Sequence, residues 1–75
     1  MKTKNKRIQL HKRIWCKIRY YQQLNDISDE LLAQYLGVSE RTMREYDRDA
    51  RNLTFERVDR FLDCFDMELT DLFTL

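Results

Sequence analysis

The 75-residue chain is 43% hydrophobic and 36% charged, which is enough apolar material for one small core inside a well-hydrated surface. No stretch approaches the roughly 20 consecutive apolar residues of a membrane-spanning helix, so the composition predicts a domain without membrane contact. One glycine and no proline rule out a glycine-rich phosphate loop. Cys16, Cys64 and the single His11 are too few and too scattered for a zinc site, so we expect no bound metal. The sequence has no cofactor motif and no nucleophile with a neighbouring base, so we expect no cofactor and no enzymatic activity.

Charge divides sharply along the chain, although the net charge is only +1. Residues 1–19 carry eight Lys or Arg and no acid, whereas residues 20–75 carry six basic and thirteen acidic residues. A basic end favours an anionic partner, and nucleic acid is the commonest one. We assign residues 1–7 to a basic arm and residues 8–75 to a single domain. The arm contains four cations, namely Lys2, Lys4, Lys6 and Arg7.

Helical spacing of apolar residues recurs through the whole domain. It predicts a long first helix over about residues 6–24 and further helices over 29–36, 40–47, 55–64 and 69–74. Ser28, Ser39 and Thr54 each precede one of these helices, where a hydroxyl can accept a backbone N–H bond as an N-cap. Strict alternation of apolar and polar residues occurs nowhere. The sequence therefore predicts an all-α fold of five helices.

The second and third predicted helices have the pattern of a helix-turn-helix. Ala33 is small where the next helix crosses, and Gly37 supplies the left-handed turn that glycine adopts most cheaply. Val38 fills the angle between the helices, and Met43 anchors the second of them to the core. This arrangement leaves the start of the third predicted helix free to enter a DNA major groove.

The segment LLAQYLGVSERTMREYDRDARN resembles the lambda-repressor-like family of Cro/cI-type (XRE) helix-turn-helix proteins. The matching positions are Leu32-Ala33, Gly37-Val38-Ser39, Met43 and Tyr46-Asp47. The following segment, TFERVDRFLDCFDMELTDLF, is similar to the fourth and fifth helices of that family, so the resemblance covers about residues 14–73. It implies a compact five-helix DNA-binding domain, here with a basic arm and an extended first helix, that dimerises on a two-fold DNA site.

Carried over position by position, the resemblance implies base contacts from Glu40, Arg41, Arg44 and Glu45. Arginine can donate a bidentate pair to guanine, and glutamate can accept from cytosine N4. The alternative is a solvated face on which Arg41 and Glu45 pair one helical turn apart. Phosphate contacts are expected from basic side chains and helix starts, namely Lys12, Lys17, Ser28, Ser39, Thr42, Arg48 and Arg51.

Several positions depart from the family pattern. Asp29 replaces a Gln that touches a phosphate in the family, and we expect it to repel one. The buried first-helix Arg of the family is Gln22 here, opposite Asp47, although Arg19 one turn earlier is a candidate substitute. Asp49 and Leu53 replace a glycine and a proline.

The sequence thus predicts a small regulator of transcription, most simply a repressor of phage or mobile-element origin, that binds double-stranded DNA in the bacterial cytoplasm at the nucleoid. The basic arm is expected to lie along the duplex or in a minor groove, or alternatively to act as a solubilising tail. The alternative function is a protein-interaction module, such as an antitoxin-like subunit or an inhibitor of a nucleic-acid enzyme.

A homodimer is expected because one short recognition helix contacts few bases. The predicted dimer patch is apolar and lies at the C-terminal end, comprising Leu69, Leu72, Phe73 and Leu75. The alternative is that all of these except Leu75 close the core.

Overall fold

The fold was obtained as a computed structural model, which describes residues 9–75. Within this range the chain forms α-helices and one short 3-10 helix at Ala50–Asn52, and no strand. The helices are α1 (Leu10–Leu24), α2 (Asp29–Leu36), α3 (Glu40–Arg48), α4 (Phe55–Cys64) and α5 (Leu69–Phe73). The expected all-helical fold with five α-helices is confirmed for these residues. None of the helices in the described range is long and apolar enough to cross a membrane.

Helix starts are fixed by side-chain caps, as the sequence predicts. The hydroxyls of Ser28, Ser39 and Thr54 each accept a bond from the backbone N–H three residues further on. The first helix differs from its prediction, because Gln9 is extended and α1 begins at Leu10. The predicted helical residues 6–8 and the four cations of the basic arm lie outside the described residues.

The core gathers one or more apolar side chains from every helix. Its fully buried members are Ile14, Ile18, Leu32, Leu36, Met43, Leu53, Phe61 and Leu72. The longest helix, α1, packs against the 3-10 helix and α5, while α2 packs against α3 and α4. The 3-10 helix contacts both α1 and α3, so it joins α1 and α5 to the group of α2, α3 and α4.

Two sequence expectations are corrected by the burial of apolar residues. The polar run before α4 is not a simple connection, since it contains the 3-10 helix and buries Ala50 and then Leu53. Leu72 is completely buried and belongs to the core, so its assignment to an exposed dimer patch was wrong. Leu69 and Leu75 remain exposed and Phe73 half-buried.

Candidate nucleic-acid interface

The turn between α2 and α3 depends on the only glycine of the chain. Gly37 has a φ of 76°, in the left-handed region, and the backbone N–H groups of Gly37 and Val38 both donate to the carbonyl of Ala33. A Cβ atom at this position would lie 3.0 Å from Arg57 Nη1 and 3.0 Å from Arg60 Nε. The turn is therefore closed from within by hydrogen bonds and covered from α4 by two arginines.

The recognition-helix candidate, α3, separates an apolar face from a charged one. Met43 and Tyr46 are buried and hold α3 on the core. Arg41, Arg44 and Arg48 are exposed and follow one another at spacings of three and four residues, which places them along one face of the helix. The exposed side of α3 thus carries a stripe of three guanidinium groups.

Two glutamates share the exposed side of α3 with that stripe. Glu40 lies in the first turn, where a carboxylate is favourable against the helix dipole. Glu45 pairs with Arg41 at 3.9 Å between Nε and Oε2, and the side chain of Arg41 remains 85% exposed. A pair this long and this exposed contributes little free energy, so it leaves Arg41 available to a ligand.

Asp47, near the C-terminal end of α3, bonds residues of α1. Arg19 binds this carboxylate in a bidentate manner through one edge of its guanidinium, at 3.1 Å from Nε to Oδ1 and 2.8 Å from Nη2 to Oδ2. Trp15 Nε1 donates to Asp47 Oδ1 at 2.8 Å, and the Arg19 guanidinium lies 5.3 Å from the centre of the Trp15 ring. Burial raises the pKa of Asp47, but the bonds from Arg19 and Trp15 outweigh it and leave that pKa below its usual value. Arg19 is therefore the α1 residue that pairs with Asp47, the contact for which it was the candidate substitute in the sequence.

Asp29, the first residue of α2, is held by the same arginine. Its Oδ1 accepts from Gln22 Nε2 at 2.7 Å and from Arg19 Nη1 at 2.9 Å. These bonds from Gln22 and Arg19 keep the pKa of Asp29 below its usual value, so the carboxylate stays ionised. Because a cation and an amide already satisfy it, Asp29 presents less free negative charge to a phosphate than the sequence alone indicates.

The phosphate contacts expected on or next to α2 and α3 are of three kinds. Ser28, Ser39 and Thr42 lie at the starts of α2 and α3, where the backbone N–H groups that the serine caps leave unpaired can bind anions. Arg48 is exposed in the last turn of α3. Arg51 instead folds back onto Asp49, with 2.7 Å between Nη2 and Oδ2, which partly neutralises its charge.

Lys12 and Lys17 are placed apart from α3. Lys17 Nζ donates to the backbone carbonyl of Leu75 at 2.8 Å. Both lysines line a shallow groove on α1 together with Phe73 of α5, and no residue of α3 lines that groove. The structure therefore does not bring these two lysines together with the arginine stripe.

Three contacts were not predicted from the sequence: Arg57 and Arg60 cover the turn, and Trp15, an expected apolar position of the first helix, also bonds Asp47. Their polar atoms meet residues far away in the chain, and the one usable signal was the i, i+3 spacing of the two arginines on α4.

Among residues 9–75, no three His, Cys, Asp or Glu side chains are grouped to hold a metal ion, and Cys16 and Cys64 are free thiols on the surface.

No protein-family model matches this chain, and no curated protein or solved structure matches it either.

Proposed function

We propose that this chain binds double-stranded DNA through α3 and regulates transcription, most simply as a repressor that occupies a promoter. The observation that carries the proposal is the stripe of Arg41, Arg44 and Arg48 on the exposed side of a short helix that directly follows a glycine turn. A B-DNA major groove about 12 Å wide admits one helix in this presentation. The resemblance to the lambda-repressor-like family supports the same assignment.

In this proposal, Arg41 and Arg44 read base edges. Each guanidinium can donate two parallel bonds to O6 and N7 of guanine, and one such pair discriminates by about 1–3 kcal/mol against a wrong base. Glu40 and Glu45 on the same side can accept from cytosine N4 and exclude sequences that offer only acceptors there. The mixed charge of α3 then favours sequence selection over general affinity for phosphate.

Contacts with the DNA backbone come from Arg48 and from the starts of α2 and α3. The N-terminal N–H groups of a helix together with its dipole favour a phosphate. The salt link of Asp29 to Arg19 supports this role, because the guanidinium partly neutralises a carboxylate at the start of α2 that would otherwise repel a phosphate. Such contacts fix the orientation of the protein without selecting a sequence.

The test is DNA binding measured by fluorescence anisotropy over a series of salt concentrations. The specific probe is duplex DNA from upstream of the chain's own coding sequence, and the reference is random duplex of equal length. We expect Arg41→Ala to weaken binding to the specific probe about tenfold or more and to leave binding to random duplex nearly unchanged.

Arg41→Lys is the matched control. It retains the charge but lacks the planar fork for a bidentate bond, so it should lose sequence preference while keeping the dependence on salt. Equal affinity of the wild-type protein for the specific and the random duplex would contradict the proposal. In that case the charged side of α3 would be a surface for a protein partner, as in an antitoxin-like subunit or an inhibitor of a nucleic-acid enzyme.

A further inference from the structure

Two grooves of opposite charge both border α1 and α5. The first, called the acidic groove here, is formed by α1, α4 and the start of α5, and its apolar wall includes Leu10, Phe55 and Leu69. The charged side chains that line it are all acids, namely Glu56, Asp59 and Glu68. Apolar side chains framed by charges of one sign are typical of a surface that a partner covers.

The second groove, called the basic groove here, lies on the outer side of α1 beside the end of α5. Its apolar or weakly polar part consists of Cys16, Tyr20 and Phe73. The charged side chains that line it are all basic, namely Lys12, Arg13 and Lys17. Each groove thus combines apolar surface with the charge that the other groove lacks.

Exposed apolar surface is concentrated in these two grooves. Seven large apolar side chains remain exposed among residues 9–75, and four of them line a groove, namely Leu10, Tyr20, Phe55 and Leu69. Phe55 is the most exposed of the seven at 65%, although its ring stacks on His11 with 6.2 Å between centroids. Leaving this much apolar surface in water is unfavourable, so a cover for it is stabilising.

We propose that a second copy of this chain covers both grooves, with the acidic groove of each copy against the basic groove of the other around a two-fold axis. A basic partner would fill only the acidic groove, and an anionic ligand would fill only the basic one. A second copy brings both complements together, and the two-fold axis makes the contact twice in a closed dimer. The inference rests on the proposed function, for which a homodimer would supply a second recognition helix, but its test requires no DNA.

This interface changes the roles of two predicted groups. Leu69 and Phe73 become part of the interface through different grooves, while the buried Leu72 packs in the core and holds α5 in place. Lys12 and Lys17 are assigned to contact between copies instead of to phosphate. The recognition helix remains free, since no residue of α3 lines either groove.

The test is sedimentation equilibrium of the full chain at 0.15 M salt, without DNA. The wild-type protein is expected to show a particle of twice the 9.3 kDa chain mass, with no larger species. The acid-side variant Glu56→Lys/Asp59→Lys and the base-side variant Lys12→Glu/Arg13→Glu each place like charges against each other twice. Each should raise the dissociation constant of the dimer about tenfold or more.

The decisive variant combines all four reversals in one chain. It has the wild-type net charge and restores opposite charges across both groove pairs, so it should dimerise again. Glu30→Lys, an exposed reversal outside both grooves, should dimerise like the wild type. Circular dichroism establishes that each variant is folded.

A monomeric wild-type protein would overturn the proposal. So would two-residue reversals that leave the dissociation constant of the dimer unchanged, or a four-reversal chain that is folded but stays monomeric. Species that grow beyond two copies would replace the closed pair by head-to-tail chains and would likewise overturn it. A monomer that still binds its DNA specifically would refute this interface and leave the proposed function intact.

Discussion

Arg19 joins three helices through one guanidinium group. It lies on α1, bonds Asp29 at the start of α2 and bonds Asp47 near the end of α3. The start of α2 and the end of α3 are therefore positioned by the same side chain, which is only 21% exposed. The planar fork of arginine suits this task, because one edge binds Asp47 in a bidentate manner while the remaining nitrogen reaches Asp29.

The link between Arg19 and Asp47 predicts a stability difference that depends on pH. The pKa of Asp47 is lower in the folded chain than its ordinary value of 3.8, so the carboxylate stabilises the fold above that value. The stabilisation is lost as the pH falls through the lower, folded pKa. Asp47→Asn should therefore cost about 1 kcal/mol at pH 7, after allowance for its partial exposure, and much less at pH 3.

Urea unfolding at the two pH values measures this difference. Asp63→Asn removes an exposed carboxylate outside the network and should stay close to the wild type at pH 7. If Asp47→Asn cost the same free energy at pH 3 as at pH 7, the ionised pair would not be the source of the stability.

At the scale of elements, local signals predicted helix boundaries well. α2 and α4 span the residues expected from their caps, Ser28 and Thr54, because a cap depends only on its neighbours in sequence. The 3-10 helix escaped prediction since its burial depends on α1, which packs over Ala50 from more than 20 residues away. Tertiary contact decided this element, and its polar composition gave no sign of it.

In the candidate site too, local sequence signals predicted some features, and tertiary contacts decided the others. The spacing of the α3 arginines followed from the helical period, and the structure keeps them on one exposed side. The neutralisation of Asp29 did not follow in the same way, because Gln22 and Arg19 reach it from another helix. Sequence reasoning therefore located the charged residues but could not predict which of their charges are compensated.

The turn between α2 and α3 should be sensitive to substitution of its glycine. At Gly37, alanine would take a left-handed conformation that costs about 1–2 kcal/mol, and its Cβ would press on the ends of Arg57 and Arg60. Since those ends are flexible and can move aside, the backbone term should dominate. Gly37→Ala should thus destabilise the domain by about 1–2 kcal/mol in urea unfolding.

Gly37→Asn distinguishes the backbone term from crowding. Asparagine adopts the left-handed region more readily than alanine, whereas its Cβ meets the same arginine atoms. We expect Asn to cost less than Ala. An equal cost for the two substitutions would instead assign the penalty to crowding against α4.

For the whole molecule, the question is whether the five-residue α5 folds together with the rest. A helix this short has no stability of its own in water, so its order depends on Leu72, which is fully buried in the common core. Leu72→Ala leaves a cavity and should cost about 2–5 kcal/mol. Loss on that scale is a large part of the stability of a domain of this size.

Two signals in one urea titration decide the matter. Fluorescence of Trp15 reports the junction of α1 and α3, where its ring contacts Tyr46, and far-ultraviolet ellipticity reports all helices. In Leu72→Ala both transitions should shift together to lower urea, because one core connects α5 to that junction. Leu75→Ala removes an exposed side chain and should change stability by less than about 0.5 kcal/mol. If ellipticity fell before the Trp15 signal moved, α5 would unfold separately, and the dimer interface proposed on it would lack a rigid base.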